Sequence, residues 1–215
     1  MTPTEQLLAG AQALIVDWDG TVVDNTAARC AALTVALAPH DIPVPVDRYS
    51  QLVGLPVREV IAQLAADAAR PAPTPLEDLL ALSRAALLGG PIPDLIPCTL
   101  ELLHTARRLA VPRAVASNAA ALLVHHGIQQ LHLAELLPIT VTLDDVARGK
   151  PAPDAYLEAA RRLGTDPAQC LAVDDAAEGI TAALAAGMRT LTIRHGRLVP
   201  VTALAPEGGH HAAQP

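Results

Sequence analysis

Short apolar runs alternate along this chain with longer stretches of helical spacing, and most of the runs end in polar residues. The first is LIVD at 14–17, followed by Asp19-Gly20: a few branched residues and then turn chemistry, as in a buried strand that opens into a loop. Ala- and Leu-rich spacing predicts helices over 26–38, stopped near Pro39, over 57–69, ended by RPAPTP at 70–75, and over 76–88. Segment 43–56, with prolines at 43, 45 and 56, reads as irregular, and GGPIPDLIP after residue 88 as a hinge-like linker.

Beyond that linker the rhythm becomes a regular alternation. Helices are predicted over 98–110, 119–126, 153–163 and 178–186, the last with Gly187 as its C-cap. They are followed in turn by VPRAVAS ending at Ser117, LPITVT at 137–142, QCLAVDD ending in Asp174-Asp175, and MRTLTI. Strands separated by helices of this length imply βαβ crossovers and a parallel sheet. The expected fold is therefore α/β, a Rossmann-like parallel sheet with helices on both faces and an inserted all-helical cap domain. The sheet domain takes residues 1–24 and 96–205, the cap 26–92, and a flexible tail 206–215. In such a sheet the C-terminal strand ends share one edge, where ligands bind.

Composition narrows the partners. The 215 residues are 51% hydrophobic and 17% charged, with no Phe, one Trp and two Tyr, so the core must be aliphatic. A net charge of −7 and the lack of a basic run argue against a nucleic-acid or anionic-membrane surface. Three widely spaced cysteines without a CxxC pair read as buried thiols in a reducing compartment. No apolar stretch approaches about 18 residues and no basic segment opens the chain, so the expected location is the cytoplasm.

Four polar clusters fall at strand ends: Asp17 with Asp19, Ser117-Asn118, Lys150, and Asp174-Asp175. Each has an ordinary alternative: a capped turn for the first, a helix N-cap for the second, a surface loop for Lys150, a solvated turn for the last pair. Lys150 stands out because it is the only lysine among 15 basic residues. Its compact ammonium suits a buried carboxylate and a phosphate oxygen at once. Converging carboxylates repel unless a cation joins them. Mg²⁺, which takes oxygen ligands at about 2.1 Å and keeps waters, suits Asp17, a backbone carbonyl, Asp175 and Asp174. No His or Cys is near these motifs in sequence, which disfavours zinc.

In this order the clusters resemble the haloacid dehalogenase-like hydrolase superfamily, in the helical-cap branch of phosphoglycolate phosphatase-like and β-phosphoglucomutase-like enzymes. DWDGTVVDNT at 17–26, ASN at 116–118, GKPAPDAY at 149–156 and VDDAAEGITAALAAGM at 173–188 carry the resemblance, which spans residues 12–198. It implies Asp17 as a nucleophile that becomes an aspartyl phosphate, and Asp19 as general acid and base whose backbone carbonyl meets the metal. It further implies Ser117 on a phosphoryl oxygen with the Asn118 amide nearby, and Lys150 holding the nucleophile. Asp175 and Asp174 would be metal-binding, and Trp18, Asp19, Gly20 and Thr21 would supply phosphate contacts from the backbone. Asp24 looks like a structural acceptor.

Departures from the family pattern matter too. A carboxylate at position 19 argues against dehalogenation, which needs no proton donor. Arg29 stands where mutase-like members tend to have His, and Ala176 replaces a familiar Ser. Specificity is expected from the cap, with Arg29, Tyr49, Gly54, Leu55, Pro56 and Arg58 facing the cleft. Arg29 or Arg58 would bind a second anionic group, the alternative for each being a solvated helix residue. His125, His126 and His132 read as surface or helix-end residues. The implied activity is Mg²⁺-dependent hydrolysis of a small phosphomonoester by a monomer or homodimer. A phosphomutase, and a phosphometabolite-binding protein with little turnover, are the alternatives.

Overall fold

A computed structural model describes residues 1–52, 55 and 57–201. Gly54 and Pro56 of the expected cap loop, and the expected tail, lie outside the described residues. The central strand β1 (Ala13–Val16) lies between β4 (Arg113–Ala116) and β6 (Cys170–Val173), both parallel to it. β5 (Ile139–Val141) extends the sheet beyond β4, and β7 (Arg189–Arg194) beyond β6. The chain therefore builds outward on one side of β1 and then crosses to the other. That reversal opens a crevice at the C-terminal end of β1, the usual ligand position in open α/β sheets.

Both faces of the sheet are buried, which is why its strands are short uninterrupted apolar runs. Leu14 and Val16 of β1 point to a core shared with α6 (Pro97–Arg108) and α7 (Ala121–Gln130) through Leu102, Leu103 and Val124. Ala13 and Ile15 point the other way, to Tyr156 and Ala159 of α8 (Asp154–Leu163) and Ala182 and Ala183 of α9 (Ala177–Ala185). Alternation at period two is thus present, although both of its faces are apolar. On the alanine-lined face the small side chains let the helices approach closely.

The insert has its own core. Helices α2 (Thr26–Leu37), α3 (Val46–Leu52), α4 (Val57–Asp67) and α5 (Leu76–Leu88) bury Leu33, Leu37, Tyr49, Leu52, Ile61, Leu64 and Leu79 together. Two short strands join it to the sheet domain: β2 (Val23–Asp24) leads in, β3 (Asp94–Leu95) leads out, and they pair antiparallel. Asp24 accepts the Thr26 N–H at 3.2 Å, the structural role expected of it.

Three expectations are corrected and one element is added. Segment 43–56 contains α3; Pro43 and Pro45 lie before its first turn, where no donor is needed. The chain opens with a helix, α1 (Pro3–Leu8), capped by Thr2 and Glu5 in a capping box. The sheet is not wholly parallel, because β8 (Arg197–Pro200) returns antiparallel to β7 through His195-Gly196, both at positive φ. Tyr49 belongs to the insert's core rather than facing the cleft. Gly187, at φ +79°, stands one residue beyond the α9 C-cap Ala186 and supplies the left-handed turn anticipated there.

Candidate active site

Three of the four clusters foreseen at strand ends emerge where a strand stops. Asp17 follows β1, Ser117 follows β4, Asp174 and Asp175 follow β6, and Lys150 comes from the loop after β5. The ammonium of Lys150 donates to Asp17 Oδ1 at 2.6 Å and to Asp174 Oδ2 at 2.7 Å, with only 4% of its side chain exposed. Burial alone would lower its pKa, but the two carboxylates outweigh burial and hold it above the ordinary value, so Lys150 stays charged.

One oxygen each from Asp17, Asp174 and Asp175 lies within 4.8 Å of the others. Burial pushes Asp17 well above the ordinary carboxylate value; Lys150 opposes that, while Asp174 and Asp19 add to it. Asp175 is raised by burial and by Asp174, against the hydrogen bond it accepts from Thr21 Oγ1 at 2.8 Å. One ammonium therefore does not neutralise the group. An all-oxygen set with surplus negative charge fits a hard divalent cation.

The surrounding residues show what holds this geometry. Asp174 Oδ2 also accepts from the Tyr156 hydroxyl at 2.7 Å, and Oδ1 from the Ala176 N–H at 3.0 Å. The amide thus supplies a local bond although Ser is absent at 176. Gly20, at φ +82°, and Gly179 are needed for space: a Cβ on the first would collide with the Asp175 carboxylate, and on the second with that of Asp174. Gly127 likewise makes room in α7 for the Trp18 ring, which packs into the core.

Several predicted contacts are differently arranged. The Gly20 N–H donates to Val23 O at 2.8 Å and is spent on the turn, whereas those of Trp18, Asp19 and Thr21 have no partner among the described residues. Asn118 clamps the Lys150 peptide from both sides: its Oδ1 accepts the Lys150 N–H at 2.7 Å and its Nδ2 donates to the Lys150 carbonyl at 3.1 Å. The Ser117 hydroxyl, buried, accepts the Ala119 N–H at 3.0 Å and keeps its own proton for donation.

The Asp19 carboxylate turns to the insert, where Asn25 Nδ2 donates to one oxygen and the Arg29 guanidinium pairs with the other. Asn25 occupies the α2 N-cap position yet makes no capping bond with its side chain. Trp18, Asp19, Asn25 and Arg29 line a cleft between the sheet edge and the insert, with Leu123 and His126 of α7 opposite. His126 is thus a cleft residue, contrary to its surface reading. Arg58 is exposed on α4 and does not line this cleft.

Tyr156 is the residue that sequence patterns did not single out. Its hydroxyl bonds Asp174, its ring centroid lies 4.9 Å from Lys150 Nζ, and it is fully buried. Burial, with Asp174 next, drives the phenol well above its ordinary pKa, so it remains a donor. Tyr156→Phe keeps the ring and deletes one bond to a buried carboxylate. It is expected to cost about 1–3 kcal/mol and lower kcat several-fold at unchanged KM. Thermal melting and steady-state kinetics check this; an unchanged melting temperature and kcat would show that the hydroxyl is idle.

A parallel sheet whose switch point gathers carboxylates around one buried lysine, overhung by a helical insert, defines a class of phosphoryl-transfer enzyme. Comparison gives the family: residues 11–187 match the haloacid dehalogenase-like hydrolases, and the chain belongs to that family. It is thereby a hydrolase. Among its relatives, fructose-1-phosphate phosphatase YqaB of Escherichia coli is 32% identical over 185 residues, 84% of this chain and 95% of that one. Validoxylamine A 7'-phosphate phosphatase of Streptomyces hygroscopicus subsp. limoneus is 29% identical over 176 residues, 81% of each. The structure of CbbY from Rhodobacter sphaeroides with phosphate superposes with a TM-score of 0.73 at 26% identity, over 85% of both chains. Among the described residues no helix is long and apolar enough to cross a membrane.

Proposed function

We propose that this chain is a Mg²⁺-dependent phosphatase of a small phosphorylated metabolite, with Asp17 as the nucleophile and Asp19 as the acid and base. The observation that carries it is the Lys150 ammonium, buried and shared between Asp17 and Asp174 at the sheet's switch point. Asp17, Asp175 and the Asp19 carbonyl would hold the metal. Asp174 stands within reach, but its three accepted hydrogen bonds suit it better to anchoring Lys150. Bound Mg²⁺ would offset the negative charge of the carboxylates and of the phosphoryl group.

The protein's own residues do the rest. Asp17 attacks phosphorus, the ester oxygen leaves with a proton from Asp19, and water activated by Asp19 then hydrolyses the aspartyl phosphate. Charge on the equatorial oxygens meets Lys150, the Ser117 hydroxyl and the free N–H groups of Trp18, Asp19 and Thr21. The insert shields these steps from bulk water, and the division of the chain into a sheet domain of 1–24 and 96–205 and a cap of 26–92 is supported by the pairing of β2 with β3. Three free thiols suit the cytoplasm.

The test is phosphate release from a panel of sugar phosphates, phosphorylated acids and p-nitrophenyl phosphate. Turnover is expected with Mg²⁺, to fall below a hundredth after chelation, and to return on adding Mg²⁺ back. Absence of release from every ester in the presence of Mg²⁺ would sink the reading. Asp19→Ala is expected to remove nearly all turnover of alkyl phosphates while sparing p-nitrophenyl phosphate much more, because its leaving group needs no proton. Equal losses on both would argue against the acid role.

A further inference from the structure

Arg29 lines the cleft beside Asp19, the carboxylate that on the proposed function protonates the leaving group. Its guanidinium pairs with Asp19, yet its Nε is buried without a partner among the described residues. On the insert side the cleft around it is lined by Ala28, Leu87, Pro91 and Pro93, and by Asn25, whose amide is engaged with Asp19; on the sheet side it carries Leu123 and His126. Among the described residues Asp19 is the only carboxylate in that lining. An Arg fork with one of its donors unspent, the one permanent cation in the lining given by the described residues, is suited to a planar or tetrahedral anion that takes Nε and a terminal nitrogen together.

We infer that Arg29 is a specificity-determining residue that receives a second anionic group, carboxylate or phosphate, on the alcohol released from the phosphoester. The inference rests on the phosphatase reading and deepens it. In the structure both Asp19 oxygens are occupied by Asn25 and Arg29. A substrate with a second anion takes Arg29 for itself and thereby releases the Asp19 oxygen that must reach the leaving oxygen. A substrate without one leaves Arg29 on Asp19. The preferred class is a compact phosphorylated acid or a bisphosphate, whose second anion frees the acid catalyst.

Three probes of equal carbon length separate the cases: propyl phosphate, 3-phosphonooxypropanoate and propane-1,3-diyl bisphosphate, each assayed by phosphate release with Mg²⁺. The wild-type chain is expected to show a kcat/KM ~10- to 100-fold higher for at least one anionic probe than for propyl phosphate. Which one it favours identifies the anion. Arg29→Gln is expected to erase that advantage through KM while raising kcat on propyl phosphate several-fold, and Arg29→Lys to restore part of the KM effect. Equal kcat/KM on all three probes in the wild type, or an equal loss on all three in Arg29→Gln, overturns the inference. Turnover of p-nitrophenyl phosphate in the same preparation shows that such a failure is of the Arg29 role alone; its absence with all other esters would take the phosphatase reading down as well.

Discussion

Replacing Asp17 by Asn is expected to reduce phosphate release by at least ~10⁴-fold while leaving the fold intact. The amide has the shape of the carboxylate and can still accept from Lys150, so the packing at the end of β1 survives. It cannot form the acyl phosphate. Its effect on stability has the opposite sign. In the metal-free chain Asp17 titrates well above its ordinary value of 3.8, chiefly because it is buried. The folded state therefore binds a proton that the unfolded chain gives up, and stability declines as pH rises from near 3.8 through the raised folded value. The Asn variant lacks that decline. Its melting temperature should exceed that of the wild type at pH 7 by a few degrees, with the gap closing toward pH 4. Calorimetry across that range together with the phosphate assay checks both halves; residual turnover within tenfold of wild type would remove Asp17 from the nucleophile's role.

Lys150→Met should lose both activity and stability. Only 4% of the Lys150 side chain is exposed, and the carboxylates it bridges, Asp17 and Asp174, are 7% and 1% exposed. Deleting the cation from a buried pair leaves the anions uncompensated, a cost of about 3–5 kcal/mol. For a chain of this length that is roughly 10 °C in melting temperature. The deficit should shrink on acidification, because Asp17 takes a proton, and on adding Mg²⁺. Turnover should fall by about 10³-fold even with saturating metal, since in the proposed mechanism Lys150 both holds the nucleophile and meets the transferring group. A melting temperature unchanged at pH 7.5 would mean that the lysine is not the site's main counter-charge.

The sequence exposed the strand ends more clearly than the contacts among them. Runs such as LIV before Asp17 or LAV before Asp174 are readable because buried parallel strands need apolar residues on both faces and loops need polar ones. Helix α5 likewise lies where its spacing placed it, at Leu76–Leu88. Which atoms meet is decided by side-chain direction across segments far apart in the chain. The Tyr156 hydroxyl reaches Asp174 across 18 positions, and Asn118 clamps Lys150 across 32. Nothing local in GKPAPDAY distinguishes a packing ring from a hydrogen-bond donor. Arg29 was legible as a candidate cation, but its pairing with Asp19 depends on how the insert sits over the sheet. Other elements carry a local signal: Thr2, Pro3 and Glu5 form a complete helix start for α1. Prolines at 43 and 45 obscured α3, although proline ahead of a first turn is compatible with a helix.

The β2–β3 ribbon carries one more consequence. Val23 faces Leu95 and Asp24 faces Asp94, so the chain leaves the sheet domain and re-enters it at neighbouring points, about 5 Å apart. A segment whose two ends are already together adds little loop-closure entropy, however long it grows. The helices between them can therefore lengthen, shrink or be exchanged for another scaffold without moving the strand ends that hold Asp17, Ser117, Lys150 and Asp175. On the proposed function, selection of the alcohol and cleavage of the phosphoester are thereby carried by parts of the chain that can diverge independently.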